Sequence, residues 1–125
     1  AGKFEDKEGP VKGHNVEPIY FDIELKEGKK INLEVPETHN SFIYLLNGEL
    51  KIGKKIHEKV KDSTLILLER GTTLDIHANK LSKFLFIAGK PIGEPIARGG
   101  PFVMNTKEEI LQAIRDYNNG TFANY

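Results

Sequence analysis

The sequence has no cysteine and no tryptophan, and it has a single methionine among 125 residues. Without cysteine there are no disulfides, no thiolate metal ligands and no cysteine nucleophile. A chain of this length can bury enough apolar surface to form one domain without covalent cross-links. The composition is compatible with a reducing compartment, and we expect a cytoplasmic protein.

An excess of either charge is also missing, because 18 Lys and Arg residues balance 18 Asp and Glu residues. A neutral chain is not drawn by long-range electrostatics toward nucleic acid or anionic lipid. No apolar run approaches the roughly 20 residues that span a bilayer as a helix. We therefore expect no direct nucleic-acid partner and no membrane partner, and a neutral small molecule or another protein surface is more plausible.

Helical periodicity is absent between residues 18 and 89, where apolar and polar residues alternate instead. Ile19, Phe21, Ile23 and Leu25 alternate with polar side chains, and the stretch from Gly28 to Gly48 reads as two strands joined by a turn at 36–40. Three runs, the second strand of this pair among them, are apolar on both faces and predict strands covered on both sides: 42–46, 64–68 and 84–89. Seven or eight such strands predict an all-β sandwich or small barrel.

The two ends of the chain differ from this β region. Residues 1–17 are polar and predict a linker or surface arm, which leaves a domain over 18–125. Proline and glycine between Lys90 and Pro101 predict an extended coil. Thr106 and Glu109 form a capping-box pattern, and they predict a helix over about 106–119 with one apolar stripe.

One long match carries a family resemblance. The run GPFVMNTKEEI at 100–110, with AIRDY at 113–117 and GTF at 120–122, closely resembles the C-terminal signature of the pirin family. The segments GEPI at 93–96 and FIYLLNG at 42–48 are also similar to pirins. The resemblance implies a cupin-type double-stranded β-helix, a jelly-roll barrel, with one C-terminal α-helix. It also implies that this chain corresponds to the C-terminal cupin of a two-domain protein, or bicupin, whose N-terminal cupin holds the iron.

The cupin metal motif can be tested position by position. Laid from Gly28 to Gly48, its two histidine positions fall on Glu34 and Pro36 and its glutamate position on Ser41. The second motif places its histidine on Leu74. A divalent metal needs imidazole and carboxylate donors converging at about 2.0–2.2 Å, and these residues do not supply them. We therefore predict no metal ligand, no cofactor-binding residue and no catalytic residue in this chain.

Other polar residues have weaker patterns. His39, His57 and His77 are scattered, without the spacing that places two ligands on one face. Glu34 could be a carboxylate in the barrel mouth, although a solvated side chain is favoured. Ser41 has no triad partner that the sequence can locate. The turn at 98–100, Arg-Gly-Gly, lacks the strand and helix context of a phosphate cradle.

Apolar residues near the predicted helix are candidates for an interface. They either pack on the helix itself as a hydrophobic staple or dock on an N-terminal pirin-like domain. In an isolated chain such a surface would be covered most simply by a homodimer. The interface candidates are Pro101, Phe102, Val103, Met104 and Tyr117.

Three functions stay open. We favour a metal-free structural and interaction domain that supports an iron-binding N-terminal cupin. The family resemblance also implies a second possibility, that a full-length parent is a quercetin 2,3-dioxygenase with iron in its other half. The third is a cupin module that binds a small molecule inside the barrel without catalysis.

Overall fold

The computed structural model describes residues 1–12, 15–53 and 59–123, and only the backbone of residues 59 and 60. The chain forms two compact units, Ala1–Pro91 and Ile92–Tyr125. No helix within the described ranges is long and apolar enough to cross a bilayer.

The first unit is built from two four-stranded antiparallel sheets. After a short hairpin of β1 (Lys3–Phe4) and β2 (Lys7–Glu8), its strands are β3 (Ile19–Leu25), β4 (Lys30–Glu34), β5 (Asn40–Asn47), β6 (Glu49–Ile52), β7 (Lys59–Lys61), β8 (Thr64–Leu68), β9 (Thr73–Ala78) and β10 (Ser82–Gly89). One sheet has the order β3-β10-β5-β8, and the other has the order β4-β9-β6-β7. These eight strands confirm the predicted β fold. The sheets do not close into a barrel, and their arrangement is that of a jelly roll.

Alternation along the strands places a continuous hydrocarbon core between the sheets. Its members are buried or nearly so: Leu33, Val35, Ile43, Leu45, Leu50, Ile76, Ala78, Phe84, Phe86 and Ala88. The expectation that three strands are covered on both faces is wrong for β5 and β8. Their outward side chains, including Tyr44, Leu65 and Leu67, stay exposed because no described strand of this unit lies over them. Outward side chains of the third strand, β10, are half-buried.

The N-terminal segment lies against the first sheet. The β1–β2 hairpin is joined to β3 by a backbone hydrogen bond from the amide of Tyr20 to the carbonyl of Ala1. The ring of Phe4 meets Phe21 edge-on at 6.0 Å, and Phe21 lies 6.1 Å from the buried Phe86. An aromatic series therefore connects this hairpin to the core.

The second unit contains a hairpin and the one helix of the described residues. Strands β11 (Ala97–Gly99) and β12 (Phe102–Met104) pair antiparallel, so the predicted coil over 90–101 is wrong at its C-terminal end. The ladder forms because its three residue pairs contain no proline. Helix α1 (Lys107–Asn118) begins after Thr106 with a complete capping box, as predicted, and Gly120 follows it with φ of +71°.

Candidate functional site

The place where cupins carry ligands is lined by hydrocarbon here. On β4 and the residue after it, the inward side chains are Leu33 and Val35, while Glu34 and Pro36 are exposed. The motif alignment thus put its histidine positions on the outer side of the strand. Moving it by one residue brings two aliphatic side chains to those positions, and neither can donate to a cation.

Leu74 on β9 and Ser41 on β5, which take the remaining motif positions, do not add metal-ligating side chains to Leu33 and Val35. Leu74 points inward on β9, where it pairs with Leu33. Ser41 is half-buried at the start of β5, between Leu68 and Ala88 of the neighbouring strands. A single hydroxyl among aliphatic side chains offers neither the charge nor the number of ligands that iron requires. The residues at the motif positions therefore do not fit a divalent metal.

His39 is buried and structural. Its Nε2 lies 3.1 Å from the carbonyl oxygen of Glu17, and its Nδ1 lies 3.3 Å from the hydroxyl of Thr38. Because a carbonyl only accepts, Nε2 donates to it, and Nδ1 is left to accept from Thr38. Both ring nitrogens are thus engaged in holding the turn between β4 and β5 to the segment before β3.

His77 lies elsewhere, on the outer face of β9. Its strand neighbours in register are Lys30 on β4 and Lys51 on β6. Two flanking ammonium groups disfavour a bound cation at this position. The structure does not bring His39 and His77 to one site, and His57 lies outside the described residues.

A surface groove of about 880 Å³ lies along the edge of the sandwich, beside β4 and the N-terminal hairpin. Phe4, Ile19 and Phe21 line its apolar part, and its polar groups include Glu34, which is exposed as predicted. Leu33 and Val35 also line this groove, which therefore reaches the inward side of β4. The third function, a small molecule bound without catalysis, stays a prediction.

The turn at Gly99 and Gly100 is explained by packing. A Cβ added to Gly99 would collide with Cγ2 of Ile110, so the glycine lets α1 approach the β11–β12 hairpin. Gly100 turns the chain with φ of +56°. These glycines are accounted for without a phosphate ligand.

The predicted interface residues divide into two groups. Phe102 is half-buried by its own unit, where its ring lies 6.0 Å from Tyr117 and 5.1 Å from Phe122. Met104 is half-buried as well. Pro101, Val103 and Tyr117 are exposed.

One carboxyl has a clearly perturbed pKa among the groups described. Lys12 lies 2.7 Å from Glu8 and holds the pKa of that carboxyl below its ordinary value, first through the hydrogen bond and then through its charge. Both side chains are well exposed. This is a surface ion pair between residues four positions apart, and it indicates no acid–base chemistry.

Comparison with known proteins decides the family. The model of the pirin C-terminal cupin domain matches residues 20–123. The chain belongs to the pirin family. Pirin of Rattus norvegicus is 38% identical over 104 residues, which is 81% of this pirin-family chain and 36% of the rat protein. A pirin-like protein of Solanum lycopersicum is 41% identical over 105 residues, 82% of this chain and 36% of the relative.

A solved structure agrees with this assignment. The crystal structure of a quercetin 2,3-dioxygenase from Acinetobacter baumannii matches with a TM-score of 0.84 and 35% identity, over 98% of this chain and 42% of that one. This chain therefore spans less than half the length of these relatives.

Sequence reasoning missed two features of these surfaces. The burial of His39 depends on Glu17, 22 residues away, and no local pattern signals that contact. The sequence does carry a signal for the exposed apolar side of β5 and β8, because both strands have apolar residues on both of their faces. That pattern predicts two covered faces but does not say that the cover belongs to the same domain.

Proposed function

We propose that this chain is a metal-free structural and interaction domain, the C-terminal cupin half of a pirin-like protein that supports an iron-binding N-terminal cupin. The observation that carries the proposal is the aliphatic lining of the motif positions, Leu33 on β4, Val35 just after it and Leu74 on the neighbouring β9. Iron chemistry in such a protein belongs to the other half. The contribution of this half is its shape and its surfaces.

The interface is part of the same proposal. Val103 of β12 and Tyr117 of α1 are large apolar side chains, 57% and 66% exposed, although α1 already packs on the β11–β12 hairpin. Burial of such side chains against a partner is favourable by about 1.5–3 kcal/mol each when complete. They support an N-terminal pirin-like domain, or a homodimer in its absence, as the partner.

A second function is favoured by one comparison. The Acinetobacter relative is a quercetin 2,3-dioxygenase, so a full-length parent of this chain could oxidise quercetin with its other half. The chain itself would then stabilise the enzyme without touching the substrate. This alternative differs from the first in the activity of the parent, and the role of this half is the same in both.

Quercetin turnover tests the role of this half. The purified chain is mixed with quercetin, oxygen and ferrous iron, and flavonol absorbance is followed, with the full-length Acinetobacter dioxygenase as a positive control. We expect no decay above that of iron and quercetin without protein. Sustained turnover by the chain, proportional to its concentration, would overturn the structural role.

A further inference from the structure

A row of basic residues crosses the outer face of the sheet with the order β4-β9-β6-β7. In the strand register, His77 of β9 pairs with Lys30 of β4 on one side and with Lys51 of β6 on the other. All three side chains point outward, because the residues next to them on each strand pack in the core. We call Lys30, His77 and Lys51 the basic row. The backbone register continues it to Lys59 on β7.

The basic row is unfavourable for the fold by itself. Residues directly opposite on neighbouring strands have Cβ atoms about 4.5–5.5 Å apart, and like charges at such positions destabilise a sheet. In the part of the chain that the structure describes, no ion pair joins Lys30 or Lys51 to a carboxylate. Departures of this kind from what the fold favours are expected at functional sites. The arrangement therefore indicates a ligand that supplies the neutralising charge.

A shallow groove of about 580 Å³ lies over the basic row. Lys30, Lys51 and His77 all line it, together with Asn32 and Asp75. Its volume falls within the range of small-molecule sites, about 300–1,000 Å³. Lys51 and His77 are half-buried, so part of their conformational freedom is already lost before a ligand binds.

The groups of the basic row suit a phosphate group. An ammonium group has three N–H donors and no acceptor, and an imidazole has at least one donor. Two ammonium groups carry a charge of +2, which matches the charge of a phosphate monoester, about −1.5 to −2 at neutral pH. Hydrogen bonds from ammonium to phosphate are among the strong ones. A phosphate above His77 would lie between the two lysines, each one strand away.

Acidic residues on both sides of the basic row limit the size of the anion. One residue pair away, Asn32 Nδ2 donates to Asp75 Oδ1 at 2.7 Å, which holds that carboxylate beside the row. On the opposite side, Glu49 precedes Lys51 by two residues on β6 and points to the same face. An extended polyanion lying across the sheet would meet these carboxylates. A single phosphate group avoids them.

We propose that the basic row binds the phosphate group of a phosphorylated small molecule, with the phosphate over His77 and the rest of the molecule along the groove beside Asn32. The site is independent of the metal-free structural role, because it lies on the outer face and uses none of the cupin motif positions. The neutral net charge of the chain argues against a general attraction to polyanions. A local cluster of this size is compatible with it.

Inorganic diphosphate is the probe for the first experiment. The isotope-labelled chain is titrated with diphosphate at constant ionic strength, and the chemical shifts of its backbone amides are followed by NMR. We expect saturable shifts at Lys30, Lys51 and His77, with a Kd on the order of 1 mM, because a shallow site with a few charge-assisted hydrogen bonds gives modest affinity. Shifts that do not saturate, or that chloride reproduces, would overturn the proposal.

Charge-matched variants separate this site from general electrostatics. Lys51→Gln should weaken diphosphate binding about tenfold, since it removes one hydrogen bond to a charged group. Lys83→Gln removes the same charge from the other sheet, where Lys83 lies 3.6 Å from Asp22, and it should leave the affinity unchanged. Equal affinities of the two variants would overturn the proposal.

Stability measurements ensure that lost binding is not lost folding. Lys51→Gln relieves like-charge repulsion, so its urea midpoint should equal or exceed that of the wild type. Diphosphate should raise the midpoint of the wild type more than that of Lys51→Gln, because a ligand stabilises the state that binds it. If Lys51→Gln does not fold, Lys30→Gln replaces it, since Lys30 is exposed, and the same loss of affinity is expected. Full affinity in that variant counts against the proposal.

Competition experiments identify the source of the phosphate group. Glycerol phosphate should shift the same amides as diphosphate, which supports a phosphorylated small molecule. Anionic lipid vesicles or a short DNA duplex that displace diphosphate at lower phosphate concentration would assign the basic row to a membrane or to nucleic acid, and overturn this ligand. Iron content of the chain tests the metal-free role separately, so failure of either proposal leaves the other standing.

Discussion

The Nε2 atom of His39 lies 3.1 Å from the backbone carbonyl oxygen of Glu17, and this hydrogen bond fastens the segment before β3 to the turn before β5. The ring is only 2% exposed, so its nitrogens have no access to water that could replace the bond. His39, a residue of a type that often binds metals, thus has a structural role in this fold.

Substitution of His39 should lower stability. His39→Ala removes a buried hydrogen bond and leaves a cavity, for an expected loss of about 2–4 kcal/mol in the free energy of unfolding. His39→Gln can keep a donor near the position of Nε2 and should lose less. Urea unfolding measures both, and His77→Ala serves as the outer-face control. Equal stability of His39→Ala and the wild type would contradict the structural assignment.

Gly48 and Ser82 make the second prediction. Gly48 has φ of +101°, and a Cβ there would collide with Ser82 Oγ and lie 2.6 Å from Ser82 Cα. Gly48→Ala should therefore cost about 2 kcal/mol or more, through both strain and steric conflict. Gly53→Ala is the matched control, because Gly53 has a similar φ of +77° and no atom of the described residues lies within 4 Å of the added Cβ. If thermal unfolding finds equal losses of stability for the two variants, the close contact with Ser82 does not contribute to the cost of Gly48→Ala.

Ser82 itself should be sensitive to removal of its hydroxyl. Its Oγ accepts from the amide of Glu49 at 3.0 Å and donates to the carbonyl of Lys80 at 2.8 Å, and the residue is fully buried. Ser82→Ala leaves these backbone groups without that partner, and we expect a loss of about 1–3 kcal/mol in chemical denaturation. Ser82→Thr retains the hydroxyl but adds a methyl group at a fully buried position, so it should not restore full stability. A neutral Ser82→Ala substitution would be inconsistent with this role.

The helix cap gives a local prediction. The amide of Glu109 donates to Thr106 Oγ1 at 3.2 Å, and the amides of Asn105 and Thr106 donate to Glu109 Oε2 at 2.9 Å. Thr106→Ala should destabilise α1 by about 1 kcal/mol, whereas Thr106→Ser should be nearly neutral. Hydrogen exchange of the amides at 107–110 reports this directly. Unchanged protection in Thr106→Ala would argue that hairpin packing alone holds the helix.

Much of the fold follows from local sequence, and the exceptions have different causes. Alternation from Ile19 to Leu25 determines which face of β3 is buried, and Thr106 with Glu109 determines where α1 begins, because each pattern acts within a few residues. The burial of His39 depends on Glu17, which is 22 residues away, and local propensity could not reveal it. The β11–β12 hairpin is local, but the glycine and proline residues at its turn predict coil, because both residue types are depleted in strands.

The candidate site was predictable only as an absence of ligands. The sequence indicates that no histidine occupies a histidine position of the cupin motif and no glutamate its glutamate position, but the side on which β4 points inward required the structure. With a side-chain period of two, a one-residue error exchanges Glu34 for Leu33. Similarly, two-sided apolar strands such as Thr64–Leu68 predict burial without saying whether this chain or a partner provides it.

Iron stoichiometry is the most direct test of the account. The chain is produced with excess ferrous iron, passed through gel filtration and measured by inductively coupled plasma mass spectrometry, alongside His39→Ala and His77→Ala. The account predicts far less than one iron per chain in all three proteins, since the motif positions carry Leu33, Val35 and Leu74. One iron per chain that survives gel filtration would contradict it and return metal chemistry to this half of the protein.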